Sequence, residues 1–179
     1  MKKIFVIGLV LMALLTGCSK KTEENNSGFN TGIMRLSSPV FENNQMIPVR
    51  YTCDGDNINP PLNIGIIPRE TKTLVLIVDD SDASGGDWVH WTLWNILPKA
   101  DEINEGNIPN GSVEGMTDFG KIGWDGPCPA EGRHKYQFKL YALDNSPYLK
   151  NGATKDDILA VIEGHVLEQT MLVGLYQRQ

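Results

Sequence analysis

The chain has 179 residues, a mass of 19.8 kDa, a formal net charge of −6 and a pI near 5.0. Hydrophobic residues make up 41% and charged residues 21%, the balance of one globular domain with a short tail. An acidic chain without a basic block argues against nucleic-acid binding, and three histidines with three cysteines leave little room for a metal cluster or a disulfide-dense scaffold.

Met1-Lys2-Lys3 is a short basic start, and Ile4 to Leu15 is an apolar run interrupted only by Gly8. That run is shorter than the roughly 20 residues needed to span a bilayer and fits the apolar region of a secretory signal. Leu15-Thr16-Gly17-Cys18 resembles a bacterial lipobox, which implies cleavage before Cys18 and attachment of lipid, palmitate included, at its thiol. Residues 1–17 are therefore expected to be a lipoprotein signal peptide, 18–33 a lipidated flexible tether and 34–179 the domain. Loss of Lys2 and Lys3 leaves 14 basic residues against 22 acids, a net charge of −8. This arrangement places the domain in the cell envelope, outside the cytoplasm and lipid-anchored to a membrane. Such a compartment permits Cys53 and Cys128 to pair, but the sequence leaves that pairing open.

Residues 45–51 (QMIPVRY) are expected as a short strand, followed by loop chemistry in CDGDNINPPLN. Thr73 to Asp79 is a continuous apolar, β-branched run, the pattern of a strand buried on both faces. A polar loop at 80–87 leads to a strand at Trp88 to Ile96, and Gly, Pro, Asn and Asp then dominate 97–132. His134 to Leu143 is a third strong strand. Thr154 is placed to cap a helix with Asp156 and Asp157 in its first turn, ending at Gly164. A second helix is expected from His165 to about Leu172, and a final strand at Val173 to Tyr176. The fold class is mainly β (α+β) with a small helical end.

Side chains alternate across a strand. In WVHWTLWNI that rule puts Trp88, His90, Thr92, Trp94 and Ile96 on one face, and Val89, Trp91, Leu93 and Asn95 on the other. In HKYQFKLYAL it puts Lys135, Gln137 and Lys139 outward, and His134, Tyr136, Phe138, Leu140 and Ala142 inward. Two strands thus carry inward histidines beside polar loops, and Asp80 follows a buried strand. Asp80, His90, His134 and Tyr136 form a set suited to a small anion, because imidazolium and phenol donate to its oxygens while the carboxylate orients a histidine. A metal held by Asp80, His90 and His134 is conceivable but disfavoured, and His165 reads as a packing or capping residue. No nucleophile elbow, phosphate-binding glycine loop, H-E-x-x-H or C-x-x-C occurs, so no catalytic residue, metal or cofactor is assigned.

Five stretches in order then resemble the phosphatidylethanolamine-binding protein family, in its bacterial Raf kinase inhibitor-like branch. They are SPVFENNQMIPVRYTCDGDNINPPL (38–62), LVLIVDDSDAS (74–84), WVHWTLWNI (88–96), GPCPAEGRHKYQFKLYAL (126–143) and GATKDDILAVIEGHVLEQTMLVGLY (152–176). The resemblance implies a large antiparallel sheet, a smaller second sheet, C-terminal helices and a small anion pocket. By motif, Asp80 falls in the family's D-P-D-A-P loop, His90 in W-x-H-W, and His134 and Tyr136 in G-x-H-R-Y. The pocket rim is expected at Asp82, Trp88, Pro61, Gly126 and Pro127, with Pro60-Pro61 as a candidate cis pair. Serines at 81 and 84, Lys135 and Ala130 depart from the family pattern. The expected function is a non-enzymatic binding module for a small anionic or phosphorylated ligand, with a protein partner to modulate and the membrane met through the N-terminal lipid. The alternatives are a surface-mediated inhibitor of a protease or signalling enzyme, and a weak hydrolase using a pocket histidine as general base.

Overall fold

The computed structural model describes residues 33–179; the expected signal peptide, Cys18 and residues 18–32 of the tether lie outside that range. The strands are β1 (Arg35–Ser37), β2 (Gln45–Met46), β3 (Leu62–Gly65), β4 (Thr73–Asp80), β5 (Trp88–Ile96), β6 (Glu102–Ile103), β7 (Val113–Glu114), β8 (Arg133–Leu143) and β9 (Val166–Gln177), with helix α1 (Lys155–Ile162) before β9. Six strands form a sheet in the order β2-β9-β8-β4-β5-β7, and three form a second sheet in the order β1-β3-β6. Only β2 runs parallel to its neighbour, so the large sheet is otherwise antiparallel.

Every residue of β4 is buried, as its apolar run requires. Leu74, Leu76 and Val78 pack with Phe138, Leu140 and the small sheet's Leu36, Leu62 and Ile64. Val75 and Ile77 face the other way, onto Trp94 and the α1 residues Ile158 and Ile162. The cap of α1 follows the sequence: Thr154 Oγ1 accepts from the Asp157 amide at 3.2 Å, and the Asp157 carboxylate accepts from the Thr154 amide at 2.9 Å.

Four expectations are corrected. The strand at 45–51 stops at Met46, because Pro48 lacks an amide hydrogen; Val49–Tyr51 instead turns as a 3-10 helix, with Tyr51 N donating to Pro48 O at 3.0 Å. The second helix at His165–Leu172 is absent. Gly164, at φ 78°, reverses the chain after α1, and β9 then hydrogen-bonds along the whole of β8. A long unpaired edge on β8 outweighs any local helical preference. A single α-helix therefore stands among the described residues where several were expected. No described peptide bond is cis, the Pro60-Pro61 pair included.

Strict alternation also fails in β5, and the reason is local. The β4–β5 ladder pairs Val78 with Trp91 but Asp79 with Val89, so His90 is an extra residue. A second irregularity separates Leu74/Ile96 from Leu76/Leu93, with Asn95 at φ 57°. Such bulges re-aim side chains. Trp91, Leu93 and Ile96 consequently join the core under the small sheet, whereas Trp94 faces α1.

Cys53 and Cys128 are disulfide-bonded, with Cα atoms 5.4 Å apart. The Cys53 amide also donates to Pro127 O at 3.1 Å. Closing a loop of this length constrains the unfolded chain and stabilises the fold by about 2–4 kcal/mol. The bridge ties the segment before β8 to the early loop and fixes one wall of the cavity described next.

Candidate functional site

A cavity of about 270 Å³ opens where β4, β5 and β8 end together. The registers explain why: Asp80 pairs with Trp88 on one side and with Tyr136 on the other, placing all three on one face. His134 lies two residues before Tyr136 and shares that face. The bulge in β5 turns His90 toward the same space.

His134 Nδ1 lies 2.7 Å from Asp80 Oδ2, and the carboxylate accepts its hydrogen. Asp80 Oδ1 accepts from the Asp82 amide at 2.9 Å, so both carboxylate oxygens are engaged. Asp82 in turn accepts from the Lys135 amide at 3.0 Å. These bonds hold the 80–87 loop against the start of β8 without the prolines that the family pattern carries there.

His90 is buried, and its Nδ1 lies 2.5 Å from the main-chain oxygen of Asp125. A carbonyl oxygen only accepts, so Nδ1 carries the hydrogen and Nε2 presents a lone pair. Burial lowers the pKa of this imidazole below the ordinary histidine range, against the raising effect of the Asp125 hydrogen bond. His90 is therefore neutral at physiological pH. Its ring meets Phe119 and Tyr136 edge-on, each at 5.1 Å between centroids.

The Tyr136 side chain is fully buried; its hydroxyl makes no well-formed hydrogen bond, although the Asp80 carboxylate and the Cys128 main chain lie near it. Burial raises the phenol pKa far above its ordinary value, and the nearby Asp80 charge raises it further. The hydroxyl is thus an un-ionised donor. A buried polar group without a partner costs free energy that a ligand can recover. At the mouth, Trp88 and Phe119 form an edge-to-face pair at 5.5 Å and are 41% and 39% exposed.

Five of the nine residues expected in or around the pocket meet here: Asp80, His90, His134, Tyr136 and Trp88. The other four do not line the cavity. Asp82 supports Asp80 from outside. The carbonyl of Pro61 accepts from Ser38 Oγ at 2.7 Å, away from this region. Gly126 donates to Asn57 Oδ1 at 2.8 Å, and an added Cβ would stand 2.4 Å from Tyr51 O. Pro127 packs beside the disulfide. The lining instead uses Cys128, Pro129 and Ala130 from that loop, with Ala83, Ser84 and Phe119. Nothing in the sequence marks Phe119, an aromatic in an irregular stretch. His165 lies elsewhere, with Nδ1 bonded to Asp144 at 2.8 Å. A larger open hollow of about 850 Å³ adjoins Ala130, but its Asp54 and Arg178 are paired with each other at 2.9 Å.

Fold and cavity together define a two-sheet β protein with a small recess, apolar-walled with a few convergent polar groups, where three neighbouring strands end. Residues 37–177 match the family profile described as phosphatidylethanolamine-binding protein, and the chain belongs to that family. Residues 1–19 match the profile of a prokaryotic membrane lipoprotein lipid attachment site. A UPF0098 protein of Methanothermobacter thermautotrophicus is 47% identical over 150 residues, covering 81% of this chain and 99% of its own length. A UPF0098 protein of Pyrococcus horikoshii is 44% identical, covering 100% of this chain and 91% of its own length. The crystal structure of a putative phosphatidylethanolamine-binding protein homologue from Chlamydia trachomatis superposes with a TM-score of 0.79 at 37% identity, over 82% of this chain and 99% of that one. YbcL of E. coli shares the fold, with a TM-score of 0.77 at 24% identity over 83% of this chain and 100% of its own.

Proposed function

We propose that the domain is a non-enzymatic binding module whose cavity holds a small anionic group of the phosphate or phosphoryl-headgroup type. The observation that carries this reading is the pairing of His134 with Asp80 beside the buried, unpartnered Tyr136 hydroxyl. The Asp80 carboxylate accepts the Nδ1 hydrogen and fixes the His134 ring; Nε2 meets the ligand, and it donates to an anion when the ring is the imidazolium with both nitrogens protonated. Tyr136 supplies a second donor. Neither group is a nucleophile placed beside a base, and Cys128 is spent in the disulfide, so binding is favoured over turnover. The net negative charge of the chain opposes any anion at long range, so these local donors must supply the affinity.

The finer reading of the N-terminus belongs here too. Cys18 is taken as the lipidated first residue of the mature chain, which anchors the domain to a membrane of the cell envelope. The match over residues 1–19 and the Cys53–Cys128 disulfide, suited to an oxidising compartment, support it. Intact mass measurement of the membrane-extracted protein should show a chain starting at an acylated Cys18. A chain starting at unmodified Met1 would contradict the anchor. Calorimetric titration of the same protein with inorganic phosphate should show one saturable site, and a flat titration would contradict the pocket.

A further inference from the structure

We propose that His90 makes the cavity select an oxyanion that still carries a proton, so that the monoanions of phosphate and its monoesters are taken and sulfate is refused. This rests on the anion-binding reading above and adds which anion is held. The Asp125 carbonyl at 2.5 Å forces the ring hydrogen onto Nδ1, and the ring is 2% exposed. Its packing against Phe119 and Tyr136 prevents the ring from turning over to offer a donor instead. Nδ1 makes the ring's one well-formed hydrogen bond, the Gly126 main chain stands near the ring, and His90 lines the cavity, which leaves Nε2 to face it. The site therefore presents one fixed acceptor among its donors.

Charge points the same way. Neither lysine nor arginine lines the cavity. The one cation that it can form, on His134, already faces the Asp80 carboxylate. The charged or titratable groups around His90 are Asp80 from β4, Tyr136 from β8 and Asp125 from the loop before β8. The Asp125 carboxylate is itself tied to Asn57 at 3.2 Å and Lys121 at 3.0 Å. A dianion would find little compensation here. A monoanionic phosphate group satisfies every position when His134 is the imidazolium: its P–O–H donates to His90 Nε2, and its other oxygens accept from Tyr136 O–H and from the Nε2–H of the doubly protonated His134, whose Nδ1–H stays on Asp80. Sulfate, which has no proton near neutral pH, sets a lone pair against the His90 lone pair and leaves that buried acceptor unsatisfied.

The test compares inorganic phosphate with sulfate on the wild-type domain by calorimetry near pH 6, at matched ionic strength. Phosphate should bind at least about tenfold more tightly, the cost of one unmade charge-assisted hydrogen bond. His90→Phe, which keeps a ring but removes the acceptor, should collapse that ratio toward one. Should that variant fail to fold, the ¹⁵N shifts of His90 in the wild-type phosphate complex serve instead and should remain those of a neutral ring protonated at Nδ1. Sulfate binding as tightly as phosphate, or an imidazolium at His90 in the complex, would overturn the selectivity and leave the anion pocket standing. Binding of neither anion would overturn both.

Discussion

Asp80→Asn should weaken phosphate binding by at least tenfold to a hundredfold while leaving the domain folded. Asp80 does two things with two oxygens: Oδ2 accepts from His134 Nδ1 at 2.7 Å, and Oδ1 accepts from the Asp82 amide at 2.9 Å. An asparagine has one acceptor oxygen and an amide that only donates. Its oxygen can keep the Asp82 amide, and its NH₂ then faces His134 Nδ1, an arrangement that only a neutral ring with its lone pair on Nδ1 tolerates, so the imidazolium is disfavoured. The substitution also removes the negative charge beside the imidazole. With its orienting partner lost, His134 no longer directs Nε2 into the cavity, and a charge-assisted bond to the anion goes with it. A loss of at least tenfold to a hundredfold in affinity follows. Calorimetry reads the affinity, and a thermal melt confirms the fold. Wild-type affinity in the variant would remove Asp80 from the site.

The largest effect on stability is expected from the residue next door. Asp79→Ala should destabilise the domain by about 3–5 kcal/mol, because it strands buried charge. Asp79 lies on the reverse face of β4 and is fully buried. Its Oδ1 is 2.8 Å from Lys139 Nζ, and its Oδ2 is 2.6 Å from Lys155 Nζ. Both ammonium groups also reach Asp87 Oδ2, at 3.6 and 3.2 Å. The cluster pins α1 to the sheet and holds both ends of the 80–87 loop. Burial opposes the charge on Lys155, but its bonds to Asp79 and Asp87 hold its pKa above the ordinary lysine range. The hydrogen bond from Lys155 holds Asp87 below the ordinary carboxylate range. The Asp87 contribution is thus present above the ordinary carboxylate pKa and lost as pH falls through the depressed value. The Lys155 contribution is present below the ordinary lysine pKa and lost as pH rises through the raised value. The cluster is fully effective between those limits. In Asp79→Ala two ammonium groups share a single, half-exposed Asp87. A drop in Tm of about 10 °C or more is expected for a domain of this size. Replacing the lysines as well, in Asp79→Leu/Lys139→Met/Lys155→Met, should recover much of the loss. A single variant that melts within two or three degrees of wild type would show that the cluster is energetically neutral.

Much of this fold was legible in the residues because several segments each follow one rule. β4 is apolar throughout and buried throughout, and β8 alternates cleanly. The Thr154 cap and the Gly164 stop each act through chemistry within a few positions. What the sequence hid was non-local. The bulge at His90 exists because Val78 and Asp79 pair out of step with β5, which no periodicity in β5 reveals. The strand that replaces the second helix exists because β8 has an edge to be paired. In the candidate site, strand alternation and family resemblance pointed to the same four residues, and the structure gathers them around one cavity. Of the expected rim, Trp88 lines the cavity, and the loop before β8 contributes Cys128, Pro129 and Ala130 where Gly126 and Pro127 were expected. The disulfide decides which part of that loop turns inward, and the sequence left its pairing open. The Asp79 cluster was invisible, since its four members come from β4, the loop end, β8 and α1.

The central claim is that His134 and His90, and not the remaining histidine, face a bound anion. Long-range ¹H–¹⁵N NMR of the side-chain imidazoles during titration with inorganic phosphate near pH 6 reads all three histidines at once. The account predicts saturable shifts of His134 and His90 with one common dissociation constant, while His165, held by Asp144 far from the cavity, stays still. Phosphate that leaves His134 and His90 unmoved at saturating concentration, or that moves His165 as much as either, would contradict it.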